Sequence, residues 1–348
     1  MNISSDKLYQ FTFQVSRSAG MGEREAHIFA DSLVQANLRG MDSHGVMRLG
    51  AYLRRIREDV LFPGQVPEII SDGGSLLSVD GKNGVGVWIA QQVMELCVER
   101  AGQTGVCIAG VRHGNHFGCA SYFTRWAMEH HMIGFAMANS PKAVAPFGGA
   151  QAMFGTNPLA VAIPARGGVC FDLDMATSLV AQGKLILARK EGRRVPLGWG
   201  LDADGKESTD PAAILDGGTL SPFGGAKGYA ITLMIELLCV CLAGGSPSTT
   251  MGSMYGHPPR PQETGFVIGA IDYSRVMSAE DFESAAGELI ESIKNSRKAA
   301  GVEEIYAPGE LEQRRSDRAE ANGIALSDAV CEELTQIGAL YSVPFPAA

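Results

Sequence analysis

Apolar positions recur at helical spacing through both ends of this chain. In its middle they fall into short continuous runs. Ser4 to Arg39 predicts two helices, the first capped by Ser5 or Asp6 and ended at Gly20, the second running from Arg24 to Leu38. Ser43 to Asp59 predicts a third, stopped before Phe62-Pro63-Gly64. Glu68 to Val79 reads as paired short strands around Asp72-Gly73-Gly74. Further strands are predicted at Val106–Val111, Ile133–Asn139, Leu159–Pro164, Val169–Leu173 and Phe266–Ile271. Helices are predicted at Val87–Ala101, Ala120–His130, Ala176–Glu191, Lys227–Leu242, Ala279–Ala300 and Ser327–Gly338, with a polar connector over Gly192–Leu220. Strands alternating with helices predict an α/β protein. The expected arrangement is a central sheet domain over residues 71–272. It packs on a helical layer that residues 1–70 build with residues 273–348.

Composition narrows the function classes. Hydrophobic residues form 45% of the 348 and charged residues 19%, which suits a folded chain with a large core. A formal net charge of -9 without a basic block argues against nucleic-acid binding. The seven cysteines include no C-x-x-C pair and read as reduced thiols in a cytoplasmic protein. Met1 to Gly20 lacks the apolar centre of a secretory signal. The longest apolar run, Tyr229 to Leu242, contains Glu236 and is short for a membrane span, so a buried helix is expected.

Candidate chemistry gathers in four places. The first is Asp42-Ser43-His44-Gly45-Val46-Met47-Arg48, followed by Tyr52. On a helix, His44, Arg48 and Tyr52 would share one face. Histidine exchanges protons near neutral pH, and arginine presents a planar fork to a carboxylate. The second is His113-Gly114-Asn115-His116-Phe117-Gly118, placed after an apolar run, at the strand end where α/β proteins bind ligands. Its His-x-x-His spacing also raises a metal reading, weakened by the lack of a nearby carboxylate or cysteine at ligand spacing. The third is Pro222-Phe223-Gly224-Gly225-Ala226-Lys227-Gly228, a glycine-rich turn opening a helix, which suits an anion. Neither it nor Gly81–Gly86 has Walker or G-x-G-x-x-G spacing. The fourth joins Gly155-Thr156-Asn157-Pro158 to Asp174-Met175-Ala176-Thr177-Ser178, where Asp174 and Thr177 or Ser178 could cap the next helix. A carboxylate at such a strand end can also hold ribose hydroxyls.

Together with Lys227-Gly228 and Pro308-Gly309-Glu310, these pieces resemble, in order and over nearly the whole chain, the type 2 malate/L-lactate dehydrogenase family. That family also holds ureidoglycolate, sulfolactate and diketogulonate oxidoreductases and cyclic-imine reductases. The resemblance implies hydride transfer with NAD or NADP on a non-Rossmann α/β fold with a central mixed sheet, as a homodimer. It implies Ser43 and His44 as the acid/base pair and Arg48 as the carboxylate clamp, with Thr156 at the substrate; Tyr52, from the shared helical face, is a further substrate-binding candidate. Some members give the proton-transfer role to His116 instead. It implies that His116, Phe117, Gly118, Ser140, Asp174, Met175, Ala176, Lys227, Gly228, Gly309 and Glu310 line the cofactor. Lys142 is a candidate for a second acidic group of the substrate. Cyclic-imine reductases of this family carry an Asp after the glycine matching Gly183, where this chain has Lys184.

The expected activity is therefore an NAD(P)-dependent dehydrogenase of a small 2-hydroxy or 2-oxo carboxylic acid, without metal, membrane or nucleic acid. Reduction of a cyclic imine carboxylate is the enzymatic alternative. A metal-dependent hydrolase or lyase using His44, His113 and His116, and a non-catalytic anion binder, are the alternatives from other classes. The sequence names neither the acid, nor its stereochemistry, nor NAD against NADP.

Overall fold

Ser4, one residue before the expected caps, starts the first helix by accepting the Lys7 N–H. The computed structural model describes residues 1–168 and 170–346. After strand β1 (Asn2–Ile3), helix α1 (Ser5–Ser18) buries Leu8, Phe11, Thr12 and Val15, the i, i+3, i+4, i+7 stripe of an amphipathic helix. Helix α2 (Glu23–Leu38) follows, with the Glu25 carboxylate accepting the Gly22 N–H. The expected third helix is broken. Asp42–His44 and Val46–Arg48 are separate 3-10 turns, and only Leu49–Arg57 (α3) is α-helical. Gly45 between the turns is extended, at φ -84° and ψ -157°.

Strands β2 (Glu68–Asp72) and β3 (Leu76–Asp80) form the expected hairpin, and helix α4 (Gly86–Thr104) leads to β4 (Val106–Gly114). Helix α5 (Ser121–Glu129), β5 (Ile133–Ala138), β6 (Leu159–Ile163) and β7 (Phe171–Met175) come next. The strand expected from Val169 begins outside the described residues. Helix α6 (Gln182–Lys190) starts six residues later than expected, because Thr177 and Leu179 donate their N–H groups to Thr156 and Ser221 across the chain. Asp174 accordingly caps a different helix: its carboxylate accepts the Ser121 N–H at the start of α5. The connector holds β8 (Gly200–Leu201), α7 (Pro211–Leu215) and β9 (Thr219–Leu220). Helix α8 (Ala226–Leu237) passes into a π turn, Leu238–Leu242, before β10 (Thr264–Ile271). Helix α9 (Ala279–Lys294), the unexpected polar helix α10 (Glu310–Asn322), β11 (Ile324–Ala325) and α11 (Asp328–Tyr341) complete the chain.

Seven strands make one mixed sheet in the order β2-β3-β4-β10-β5-β6-β7. Only β3 and β4 run parallel; the other neighbours are antiparallel, so this is not a doubly wound parallel sheet. Alternation divides its faces. Cys107, Ala109, Val111, Phe266, Ile268 and Ala270 enter one large core with α4, α5 and the terminal helices, which contribute Leu8, Phe29 and Leu334. Val267 and Met137 face the opposite side, against Ile235, Cys239 and Ala243 of the α8 segment. A smaller cluster, including Val144, Phe154, Leu185 and Ile214, organises the region around α6 and α7. The seven cysteines are free thiols. Among the described residues, no helix is long and apolar enough to cross a membrane.

Candidate active site

His44 and Arg48 meet although no continuous helix joins them. The two 3-10 turns fold the chain so that Arg48 Nε donates to the Ser43 carbonyl at 2.6 Å. Ser43 Oγ lies 3.0 Å from His44 Nδ1, which leaves Nε2 as the atom free for proton exchange. The His44 ring stacks on that of His116, with centroids 5.5 Å apart. His116 follows the end of β4. Its Nδ1 lies 2.6 Å from Tyr52 Oη and 3.4 Å from the Gly118 N–H. A backbone N–H only donates, so Nδ1 is the acceptor and the ring proton belongs on Nε2. Tyr52 is 1% exposed and reaches the site through His116.

Electrostatics keeps both rings neutral. Burial, then the Arg48 charge, pulls the His44 pKa down to about 4. Burial, then His44 and Arg48, holds His116 well below the ordinary histidine value. Burial pushes the Tyr52 phenol up. Arg48 Nη1 also donates to Tyr255 Oη, and the Tyr255 ring lies under the guanidinium groups of both Arg48 and Arg54. Tyr255 escaped the sequence reading, in which nothing local marks it. Gln262, which takes the His116 N–H, carried no signal at all.

Ser140, Lys227 and Gly228, three of the expected cofactor residues, lie on segments that hydrogen bonds tie together. Ser140 Oγ accepts the Thr156 N–H at 3.0 Å, Thr177 N–H reaches the Thr156 carbonyl at 2.8 Å, and Phe223 N–H reaches the Thr177 carbonyl at 3.1 Å. The GTNP turn, the segment after Asp174 and the glycine-rich turn are thus laced together. Gly224 and Gly225 take left-handed backbone, at φ 57° and 63°, and deliver the chain into α8. Lys227 stands exposed in the first turn of that helix. Gly228 has no room for a Cβ, which would lie 1.7 Å from the Phe223 carbonyl oxygen. Glu236, which the sequence offered only as a charge in an apolar run, accepts from Ser248 N, Ser248 Oγ and Asn157 Nδ2. Asn157 Oδ1 in turn accepts the Ser140 N–H.

Other expected residues sit differently. Phe117 is buried edge-to-face against Phe123 and Phe266, so only its backbone is left to line a ligand. Asp174 is half-buried, and desolvation raises its pKa. Met175 ends β7 and Ala176 follows it. Gly309 lies against Asp172, whose N–H bonds to Pro308. Both Glu310 oxygens are held by Lys294 at 2.7 Å. Lys142 is exposed beside a cleft of about 410 Å³ that Gln151 and Gln182 also line. His113 bonds to Asp80 at 2.9 Å. Among the described residues, no three His, Cys, Asp or Glu side chains gather as a metal site.

Set beside known proteins, residues 3–335 match the family model described as Malate/L-lactate dehydrogenase. A malate dehydrogenase of Pyrococcus abyssi is 36% identical over 344 residues, covering 97% of this chain and 94% of its own. A Δ1-pyrroline-2-carboxylate/Δ1-piperideine-2-carboxylate reductase of Pseudomonas syringae pv. tomato is 32% identical, covering 91% of each chain. The solved sulfolactate dehydrogenase of Methanocaldococcus jannaschii superposes with a TM-score of 0.93 at 33% identity, over 99% of this chain and 98% of that one.

Proposed function

This chain belongs to the malate/L-lactate dehydrogenase family, and we propose that it moves a hydride between a nicotinamide cofactor and C2 of a small 2-hydroxy or 2-oxo acid. One observation carries the proposal. A guanidinium suited to a carboxylate stands beside a Ser43-oriented, neutral imidazole with a free Nε2.

The residues fit a dinucleotide. A glycine turn opens α8, whose N-terminal N–H groups and Lys227 suit the pyrophosphate. Ser140 and Thr156 are tied to that turn through Thr177 and Phe223. A bound nicotinamide supplies the hydride donor or acceptor. Arg48 takes the substrate carboxylate on Nη2, and on Nη1 by displacing or sharing Tyr255. The bound carboxylate offsets the Arg48 charge that depresses His44, so the His44 pKa rises as substrate enters. His44 Nε2 then gives a proton to the substrate oxygen in reduction and takes it back in oxidation. His116, oriented by Tyr52, is the neutral wall behind His44.

The exposed apolar residues Met234, Leu237 and Cys241 recur at helical spacing along the α8 segment and support a homodimer closed over that face. The Pseudomonas relative supports a second reading, reduction of a cyclic imine carboxylate. Lys184, exposed in the first turn of α6, disfavours it. Turnover of 2-oxo acids and of cyclic imine carboxylates, with each reduced nicotinamide, separates the two. The first reading expects oxidation of reduced cofactor with 2-oxo acids; turnover of cyclic imines alone favours the second.

A further inference from the structure

The turn that carries His44 is closed from behind by a single side chain. Asn37, near the end of α2, is 6% exposed. Its Nδ2 donates to Asp42 Oδ1 at 2.7 Å, and its Oδ1 accepts the Val46 N–H at 2.9 Å. One planar amide therefore ties both ends of Asp42–Val46, the stretch containing Ser43 and His44. The amide orientation follows from chemistry: the Val46 N–H only donates and a carboxylate only accepts.

Gly45 lies flat against this amide. A Cβ there would come within 2.2 Å of Asn37 Oδ1. Its φ of -84° is open to any residue, so space rather than backbone geometry calls for glycine. The other hydrogen bonds on the turn's backbone stay within Met41–Arg48: His44 N–H to Met41 at 2.9 Å, Gly45 N–H to Asp42 at 3.0 Å, Arg48 N–H to Gly45 at 2.9 Å and Arg48 Nε to Ser43 at 2.6 Å, so Asn37 is the tie from this turn to α2. Asp42 and Ser43 are exposed, so packing does not fix them either. Helix α2, by contrast, is anchored through Phe29 and Leu33 in the main core and through the buried Arg39–Asp172 ion pair just beyond its end.

We propose that Asn37 is a positioning residue that transfers the rigidity of α2 to the Ser43–His44 turn and so sets the His44 ring against His116. It touches neither substrate nor a transferred proton. The inference rests on the site reading above only for its kinetic consequence; the placement of His44 is a separate, measurable quantity.

Two variants test it without changing net charge. Asn37→Ser keeps a polar group too short to span both partners. The double variant Asn37→Asp/Asp42→Asn reverses donor and acceptor with the same shape and the same charge. The readouts are the His44 ring titration by NMR, kcat and KM with a 2-oxo acid, cofactor affinity and thermal melting. Asn37→Ser is expected to move the His44 titration and lower kcat by roughly tenfold or more, as misplacement does, with cofactor affinity kept. The double variant is expected to keep the parent titration and most of kcat. A parent-like His44 titration in Asn37→Ser overturns the proposal, and so does a double variant as displaced as the serine variant. Where Asn37→Ser fails to fold, the double variant alone carries the test. If the titration moves and returns as expected while kcat stays constant, Asn37 positions His44 and the proton-transfer reading is what fails.

Discussion

The rings of His44 and His116 lie nearly parallel, 18° apart in plane with centroids at 5.5 Å. A proton on His44 is penalised by burial and by Arg48, and one on His116 by burial, by His44 and by Arg48. The folded protein therefore keeps both neutral where free histidine would charge.

That neutrality has a signature in stability. The unfolded chain binds a proton at His44 near the ordinary histidine pKa of about 6.5, whereas the folded site binds it only near about 4. Between those values the unfolded state holds more protons. The stability from neutral His44 is thus present above about pH 6.5 and lost as pH falls toward 4. Denaturant unfolding of the parent should lose up to about 1.4 kcal/mol per pH unit more steeply across this window than the His44→Gln variant. Parallel slopes would mean that His44 titrates normally in the folded protein.

His44→Gln should lower kcat by about a hundredfold to ten-thousandfold with cofactor affinity nearly unchanged, because proton transfer belongs to the chemical step. Steady-state kinetics with cofactor titration checks this. Loss of the proton-transfer limb from the pH–rate profile in His116→Ala, with the limb kept in His44→Gln, would exchange the roles of the two rings.

Arg48→Lys should not behave conservatively. An ammonium keeps the charge, but it cannot hold the Ser43 carbonyl, Tyr255 and a carboxylate in one plane. The KM for the acid should rise and kcat should fall, by roughly tenfold or more together. Parent-like kinetics would remove Arg48 from the substrate site.

Lys227→Ala should weaken binding of reduced nicotinamide cofactor by on the order of 1–3 kcal/mol if its charge meets a partly desolvated phosphate. Binding to the parent should also weaken with added salt. Fluorescence titration of both proteins measures this. A lowered melting temperature with equal cofactor affinity would instead make the turn purely structural.

Much of this was legible in the sequence, for reasons particular to each element. The strands of the sheet announced themselves as short apolar runs such as Val106–Val111, because both faces of the sheet are covered. Helix α10 did not, since Glu310 alone is buried in it and it lacks an apolar stripe. The candidate site residues were joined by the wrong geometry. Helical spacing between His44 and Arg48 cannot show that Asn37 draws Val46 out of a helix and splits the segment into two turns. Asp174 was read as a local cap, yet it caps α5, a helix more than fifty residues earlier, which spacing does not encode. Tyr255 and Gln262 reach the site from the loop before β10, a tertiary placement without a local signature.

The central claim is that the hydride goes to C2 of an acid held by Arg48. It is tested most directly by turning over a 2-oxo acid with reduced nicotinamide deuterated at C4 and reading the product by NMR. The account predicts deuterium on C2 of the 2-hydroxy acid, delivered from one face of the nicotinamide, and its loss together with turnover when Arg48 is replaced. A product without deuterium at C2, or deuterium transfer only to the carbon of a cyclic imine, would contradict it.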